Sequence, residues 1–292
     1  MAARFDTIDI FQEDVHRIRI QGVKGEPPTS TAKVCINNLG GYRNSMTIIL
    51  TGLDIEKKAQ IVTEALFDSL GGKKRFSVVD VQLLRSEKNN PPTNEEAFAH
   101  LRLSVMDPDP KKVALFSSKL VELALASIPG FTATAPPTKG VPAIMHWPAL
   151  VSNDHIRQHV FVDNQEIVVN ALDQGEVLHA EPLQTRPLPS VPQGESVSVP
   201  FGRLFATRSG DKGGNANLGV WAKTPEAFSF LRDYLSVKRL KTLLEDLADF
   251  EIERYELPNL LALNFYIKGL LGDGVAASLR SDPQAKTLGE YL

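Results

Sequence analysis

Hydrophobic and polar positions along the chain fall into blocks that spell out two rounds of strands and helices. Over Val15 to Gly22, His16, Ile18 and Ile20 share one side and Arg17 and Arg19 the other, the two-residue period of a strand. After the turn Gly25-Glu26-Pro27-Pro28, Ala32 to Ile36 reads as a second strand. Asn38 to Arg43 reads as a turn, and Met46 to Leu50 as strand again. Ile55, Ala59, Val62, Leu66 and Leu70 then recur at helical spacing, with Asp54 placed to cap the start and Gly71-Gly72 to stop the end. Phe76 to Leu84 reads as a strand, and Arg85 to Glu96, with Pro91-Pro92 in it, as an exposed connection. Ala97 to Met106 alternates as a strand. A second helix follows, with Asp109 as cap, Pro110 at its first position, and Val113, Phe116, Leu120 and Leu123 on one face. This order predicts a βαββαβ, ferredoxin-like sandwich with both helices on one face of an antiparallel sheet.

Helical periodicity weakens from Pro136 to Ala180, where His159 to Val162 and Glu166 to Ala171 predict a hairpin around Asp163-Asn164. Pro182, Pro187, Pro189 and Pro192 then keep the chain extended. The boundaries are therefore residues 1–181 for a first domain, 182–198 for a Pro-rich linker and 199–292 for a second domain. In the second, Thr224-Pro225 opens a helix with Phe228, Leu231 and Leu235 inward, and another starts at Ser236. Strands over Phe250 to Glu256 and Leu260 to Lys268 come next, then a helix from Val275 whose free N–H groups suit an anion. The fold class is α+β, with two ferredoxin-like sandwich domains.

Composition narrows the function classes. With 292 residues and 42% apolar content the chain can bury sizeable cores, and a net charge of −3 gives no overall pull toward nucleic acid. No apolar leader stands at the N-terminus and no run approaches ~18 apolar residues, so a soluble, cytoplasmic protein without a membrane span is expected. The single cysteine, Cys35, excludes an intrachain disulfide. His155 and His159 share a face but have no third ligand nearby, which makes them surface or packing residues rather than a metal site. No motif names a cofactor. Sheet edges of such folds commonly pair between copies, so a homodimer is expected.

The candidate chemistry is concentrated in Thr207 to Asn217, T-R-S-G-D-K-G-G-N-A-N, which lies between the apolar runs Val199 to Ala206 and Leu218 to Ala222. It reads as a glycine-rich loop. Gly210 and Gly213 let backbone N–H groups converge beside Ser209, while Arg208 and Lys212 add charge, so the stretch favours a carboxylate or phosphate. Asp211 is placed to act as a base or to orient Lys212, and Asn215 and Asn217 to donate to a carbonyl oxygen. Gly272, Gly274 and Arg280 form a second candidate anion contact. The spacing is not that of a Walker loop, and no dinucleotide fingerprint follows a strand. The plainer alternative is a strand connection whose Asp211 and Asn217 cap local backbone groups.

Thr207 to Asn217 together with Arg254-Tyr255-Glu256-Leu257-Pro258, Asn264-Phe265, Gly272-Asp273-Gly274 and Ser278-Leu279-Arg280 with Asp282 and Lys286 resembles the ferredoxin-fold C-terminal domain of the AtuA-like acyclic terpene utilisation family. Val23-Lys24-Gly25, Asn38 to Arg43 and Gly52 to Ala65 resemble the closing part of that family's N-terminal domain. The resemblance implies a role in breaking down branched or terpenoid acids, as a carboxylate or acyl-CoA. Apart from the resemblance, the lack of a dinucleotide fingerprint makes hydratase- or lyase-like chemistry the expectation rather than redox chemistry. The resemblance also implies a shortened chain, for which a partner subunit would supply the upstream part. Ala285 stands where that family usually has Gly, and Gly214 where an acidic residue is common. The alternative function is a noncatalytic assembly module.

Overall fold

The computed structural model describes residues 2–27, 29–169, 187–191, 194, 195 and 197–292. It divides into two compact units that interleave distant parts of the chain: residues 37–145 with 276–281, and residues 1–36 with 146–275 and 282–292. No helix among the described residues is long and apolar enough to cross a membrane.

The chain opens with β1 (Ala2–Arg4), the hairpin β2 (Asp9–Asp14) and β3 (Arg17–Gln21), and β4 (Lys24–Glu26), which pairs with β1. The strand read over residues 15–22 is thus the second arm of a hairpin, with Ile10 opposite Ile20 and Gln12 opposite Ile18. β5 (Thr31–Leu50) is one strand of 20 residues, so the turn expected at Asn38 to Arg43 does not exist. Its glycines answer to close neighbours instead. A Cβ on Gly40 would lie 2.3 Å from Met145 Sδ, and one on Gly41, where φ is +131°, 2.9 Å from the Asp107 carbonyl oxygen.

α1 (Ile55–Ser69) has Asp54 at its N-cap position, but with φ at +57° the side chain makes no capping bond. Gly71 and Gly72, both at positive φ, close the other end. After β6 (Val78–Leu84) and β7 (Ala99–Asp107), Asp109 does cap α2 (Pro110–Glu122), accepting from Lys111 N at 2.8 Å. β8 (Thr132–Ala133) and β9 (Val141–Ser152) then add to β5. In the 37–145 unit the strand order β6-β7-β5-β8 is the antiparallel order of a βαββαβ sandwich. Ile48, Leu101 and Leu103 of the sheet and Val62, Leu66, Phe116 and Leu120 of the helices form its buried core. Each contributes about 1.5–3 kcal/mol by leaving water.

β10 (Gln158–Val162) and β11 (Gln165–Val169) form the hairpin read around Asp163-Asn164. Its expected end, Asn170 and Ala171, and residues 182–186, 192, 193 and 196 of the Pro-rich stretch lie outside the described residues. Farther along, the Pro189 carbonyl accepts from Ser229 Oγ at 2.7 Å, which ties this stretch to the C-terminal sheet's helices.

That sheet holds β12 (Phe205–Lys212), β13 (Asn215–Ala222), β14 (Ile252–Leu257) and β15 (Ala262–Ile267) in the antiparallel order β12-β13-β15-β14. Between the hairpins lie α3 (Pro225–Tyr234) and α4 (Val237–Leu243), and α5 (Leu288–Tyr291) comes last. An order of 1-2-4-3 is that of a βαββαβ sheet whose chain begins at its second strand. The C-terminal domain is therefore a circularly permuted ferredoxin-like fold, with α5 in the place of the first helix. Leu218, Val220, Leu263, Phe265 and Ile267 bury one face of the sheet against Phe228, Leu231, Leu240 and Leu288 of the helices. Arg254 faces the same side and closes the C-terminal end of α3, donating from Nη2 to the Arg232 carbonyl at 2.7 Å and from Nε to the Leu235 carbonyl at 3.1 Å.

The helix expected from Val275 does not form. Pro283 lacks an N–H, and Ala285 sits at φ +52°, the left-handed region that glycine prefers. Asp282 is not half of an i,i+4 ion pair with Lys286; its carboxylate accepts from Lys286 N at 2.9 Å, Thr287 N at 2.8 Å and Thr287 Oγ1 at 2.8 Å. Burial works against charge on Asp282, but these hydrogen bonds outweigh it and hold the pKa below the usual carboxylate value. A lowered folded pKa contributes stability that is present above the unfolded value of about 3.9 and is lost as pH falls through the folded value. Asp282→Asn should therefore lower the urea midpoint at pH 7, and its deficit relative to wild type should shrink as pH falls below about 4. A deficit that stays constant down to about pH 2 would show that the charge plays no part.

Candidate functional site

Thr207 to Asn217 is not a loop. It is the end of β12, a two-residue turn at Gly213-Gly214, and the start of β13, with Lys212 opposite Asn215. Gly213 at φ +66° supplies the positive φ that a two-residue hairpin turn requires at its first central position. The strand period of two then sends the polar residues to opposite faces.

Ser209 and Asp211 stand opposite the buried Leu218 and Ala216, on the helix-bearing face. There they fasten the C-terminal segment. Ser209 Oγ accepts from Gly289 N at 3.0 Å and donates to the Lys286 carbonyl at 3.3 Å, and Lys286 Nζ lies 3.9 Å from Asp211 Oδ1. A Cβ on Gly210 would lie 2.9 Å from Lys286 Nζ. Asp211 thus serves the fold on the side away from the Asn215 and Asn217 side chains.

The other face of the sheet carries a wall of polar side chains. Gly210, Asn217, Tyr266 and Glu253 are consecutive partners across the four strands, and Gly219, Asn264 and Tyr255 form the next row. Over this wall lies a groove of about 610 Å³, within the range of small-molecule sites. Lys212, Asn215, Asn217, Asn264, Tyr266, Tyr255 and Glu253 line it from the sheet, and Lys33 of β5 with His146 and Pro148 of β9 line it from the rest of the same unit. Arg208 is exposed one row along, outside the lining.

One end of the groove is built from glycines. Leu271 N donates to the Gly214 carbonyl at 2.8 Å, and a Cβ on Gly214 would lie only 2.0 Å from the Gly272 carbonyl oxygen. His146 N donates to the Asp273 carbonyl at 3.1 Å, and Gly213 and Gly274 both abut the His146 side chain. The two glycine motifs, 58 residues apart at Gly214 and Gly272, are thus halves of one packed corner. Gly272 and Gly274 do not begin a helix, and Arg280 belongs to the other unit.

The charges in the lining are unevenly committed. Glu253 receives Lys268 Nζ at 2.7 Å and the Tyr255 hydroxyl, and these bonds lower its carboxyl pKa while the bond to Glu253 raises that of Tyr255. Lys268 also holds Glu251 at 2.6 Å. Lys212 spends one of its three donors on the Asp211 carbonyl, at 2.8 Å. With Glu253 occupied, Lys33 and Lys212 leave the groove positive. Of the residues proposed from sequence, Lys212, Gly213, Asn215, Asn217 and Gly272 line the groove; Lys33, Tyr266 and His146 line it too and were not proposed. Asn264 and Tyr266 could have been found from the polar positions that alternate with Leu263, Phe265 and Ile267.

Residues 1–162 match the family model described as "Acyclic terpene utilisation family protein AtuA", and residues 199–292 match that of the "AtuA ferredoxin-like domain". No curated protein and no solved structure matches the chain. The first model spans more than half of the 292 residues and the second covers the permuted sandwich that carries the groove, and on that ground the chain belongs to the acyclic terpene utilisation family.

Proposed function

We propose that this protein is an enzyme of branched- or terpenoid-acid metabolism, or one subunit of such an enzyme, and that it binds a carboxylate or acyl thioester in the groove over β12–β15. The observation that carries this reading is the convergence of Lys33 and Lys212 on a polar groove whose carboxylate, Glu253, is already engaged by Lys268 and Tyr255. Ammonium groups with donors to spare recognise an anionic head. The neutral Asn217, Asn264 and Tyr266 behind them suit the oxygen-rich end of an acid or thioester rather than a purely apolar ligand. Hydratase or lyase chemistry fits such a wall, because those reactions add or remove water beside a carbonyl whose oxygen needs hydrogen-bond donors. In this reading Asp211, on the helix-bearing face, takes no part, and Asn215 acts by holding Tyr266.

Thermal unfolding tests the reading. A ligand that binds only the folded state raises stability by about 2.7 kcal/mol at a hundredfold excess over Kd. 3-Methylbutanoyl-CoA and 3-methylbutanoate should raise the melting temperature of wild type and raise that of Lys212→Ala much less. An equal rise in both proteins, or none in wild type, would remove the groove from the account.

A further inference from the structure

Two phenol hydroxyls belong to the groove lining, and their protons are committed differently. Tyr255 gives its proton to Glu253, which Lys268 also holds. Tyr266 is the reverse case. Asn215 Oδ1 accepts from Gly269 N at 2.7 Å, and because a backbone N–H can only donate, this bond fixes which end of the amide is oxygen. The atom that stands 2.5 Å from Tyr266 Oη is then Nδ2, and an amide nitrogen also can only donate. Tyr266 Oη is the acceptor in that bond and keeps its own proton.

That proton has no acceptor among the described residues, where the bond from Asn215 is the one hydrogen bond the hydroxyl makes. Tyr266 is half-buried and lines the groove with Asn215. Receiving a hydrogen bond polarises an O–H group and strengthens it as a donor. The register brings this donor to the charged end of the groove: Lys212 is the cross-strand partner of Asn215 at the hairpin turn, and Asn215 reaches Tyr266 on the next strand. The lining therefore offers two ammonium groups, from Lys33 and Lys212, and one neutral hydroxyl proton in search of an acceptor.

We infer that the ligand is an acyl thioester and that Tyr266 Oη donates a hydrogen bond to its carbonyl oxygen, with Asn215 as the positioning residue. The inference rests on the proposed anion site, where Lys33 and Lys212 meet the charged part of the same molecule. A neutral donor in addition to two ammonium groups matches a ligand with a neutral acceptor in addition to its charge. A CoA thioester has both, whereas a simple acid has only its carboxylate. A carbonyl oxygen carries lone pairs and no proton, so it satisfies Tyr266 and cannot compete with Asn215 as a donor. When water adds to a double bond conjugated with that carbonyl, or leaves in the reverse direction, negative charge builds on the oxygen and the hydrogen bond strengthens with it. Tyr266 is on that account a catalytic residue for the proposed chemistry, and Asn215 acts through it.

Calorimetric titration with 3-methylbutanoyl-CoA and its thioether analogue S-(3-methylbutyl)-CoA, which lacks only the carbonyl oxygen, tests this. Wild type should bind the thioester about tenfold more tightly, since the thioether leaves the Tyr266 proton unpaired. Tyr266→Phe keeps the ring and should bring the ratio within about twofold, mainly by weakening the thioester. Asn215→Asp should do the same by another route. Its carboxylate still accepts from Gly269 N, but the second oxygen takes the Tyr266 proton away from the ligand. It carries the test if Tyr266→Phe does not fold. Difference infrared spectra with the carbonyl carbon isotopically labelled should place the bound carbonyl stretch at lower frequency in wild type than in Tyr266→Phe, which a packing role of the ring would not do. Lys212→Ala should weaken both compounds together and leave the ratio intact. Equal binding of the two compounds to wild type, weakened alike by Lys212→Ala, would overturn the carbonyl donor and spare the anion site. A ratio that persists in Tyr266→Phe or in Asn215→Asp would likewise overturn it, and binding of neither compound would overturn both readings together.

Discussion

Gly214→Val should lower the stability of the C-terminal domain by about 3 kcal/mol or more, the upper end of what overpacking costs. The reason is a single close approach. The Cβ would lie 2.0 Å from the Gly272 carbonyl oxygen, a distance no Cβ tolerates, and the atom in the way is backbone rather than the far end of a flexible side chain. Relief requires moving the 271–274 turn, which would strain the bond from Leu271 N to the Gly214 carbonyl and the bond from His146 N to the Asp273 carbonyl. Conformational strain is not the cause, because Gly214 is not among the residues with positive φ. Gly219→Ala on the same strand is the control. The nearest atom to its Cβ would be the Arg208 carbonyl oxygen at 3.5 Å, an ordinary contact, so stability should change by less than about 1 kcal/mol. Urea midpoints followed by tryptophan fluorescence, to which Trp221 of β13 contributes, distinguish the two outcomes. A Gly214→Val protein as stable as Gly219→Ala would mean that the glycine corner is not packed as described.

The second large effect concerns binding. Lys33→Ala/Lys212→Ala should weaken 3-methylbutanoyl-CoA by roughly thirtyfold, as expected for two charge-assisted contacts of about 1 kcal/mol each at exposed positions. Neither lysine is buried, so folding stability should be nearly unchanged. The effect should also fade with salt. Wild-type affinity should drop between about 50 and 500 mM NaCl while that of the double variant should change little, since the variant has lost the charges that salt screens. Titration calorimetry at the two salt concentrations reads both effects. Equal salt dependence in the two proteins would place the anion elsewhere.

The parts of the fold that depend on local rules were legible in the sequence. Asp109-Pro110 opens α2 as a cap and a first-turn proline should, and the apolar positions of α1 recur every three or four residues because only one side of the helix is buried. The failures share a cause. Asn38 to Arg43 holds Asn and two glycines and Thr207 to Asn217 is rich in Gly, Asn, Asp and Lys, which disfavour strands, yet β5 runs through the first, pairing with β7 from Tyr42 onward and with β9, and the second is a hairpin whose arms pair with each other and with β15. In both, a glycine also reports the near passage of another atom: Met145 Sδ at Gly40, and the Gly272 carbonyl at Gly214, which is at the same time one of the two turn residues.

The site was legible only where one hairpin supplies it. Lys212, Asn215 and Asn217 lie within six residues of one another, whereas Lys33 and His146 reach the groove from strands far away in sequence. No local pattern joins them. The alternation through Leu263-Asn264-Phe265-Tyr266-Ile267 was sufficient to predict a polar face on β15. What it could not give was the bond from Gly269 N that orients Asn215, because that contact exists only once β13 and β15 are paired.

A crystal structure with 3-methylbutanoyl-CoA or 3-methylbutanoate bound tests the central claim most directly. The expected result is the anionic group in the groove over β12–β15, within about 2.7–3.2 Å of Lys33 Nζ or Lys212 Nζ. The ligand ordered elsewhere on the protein, with both lysines facing solvent, would contradict it.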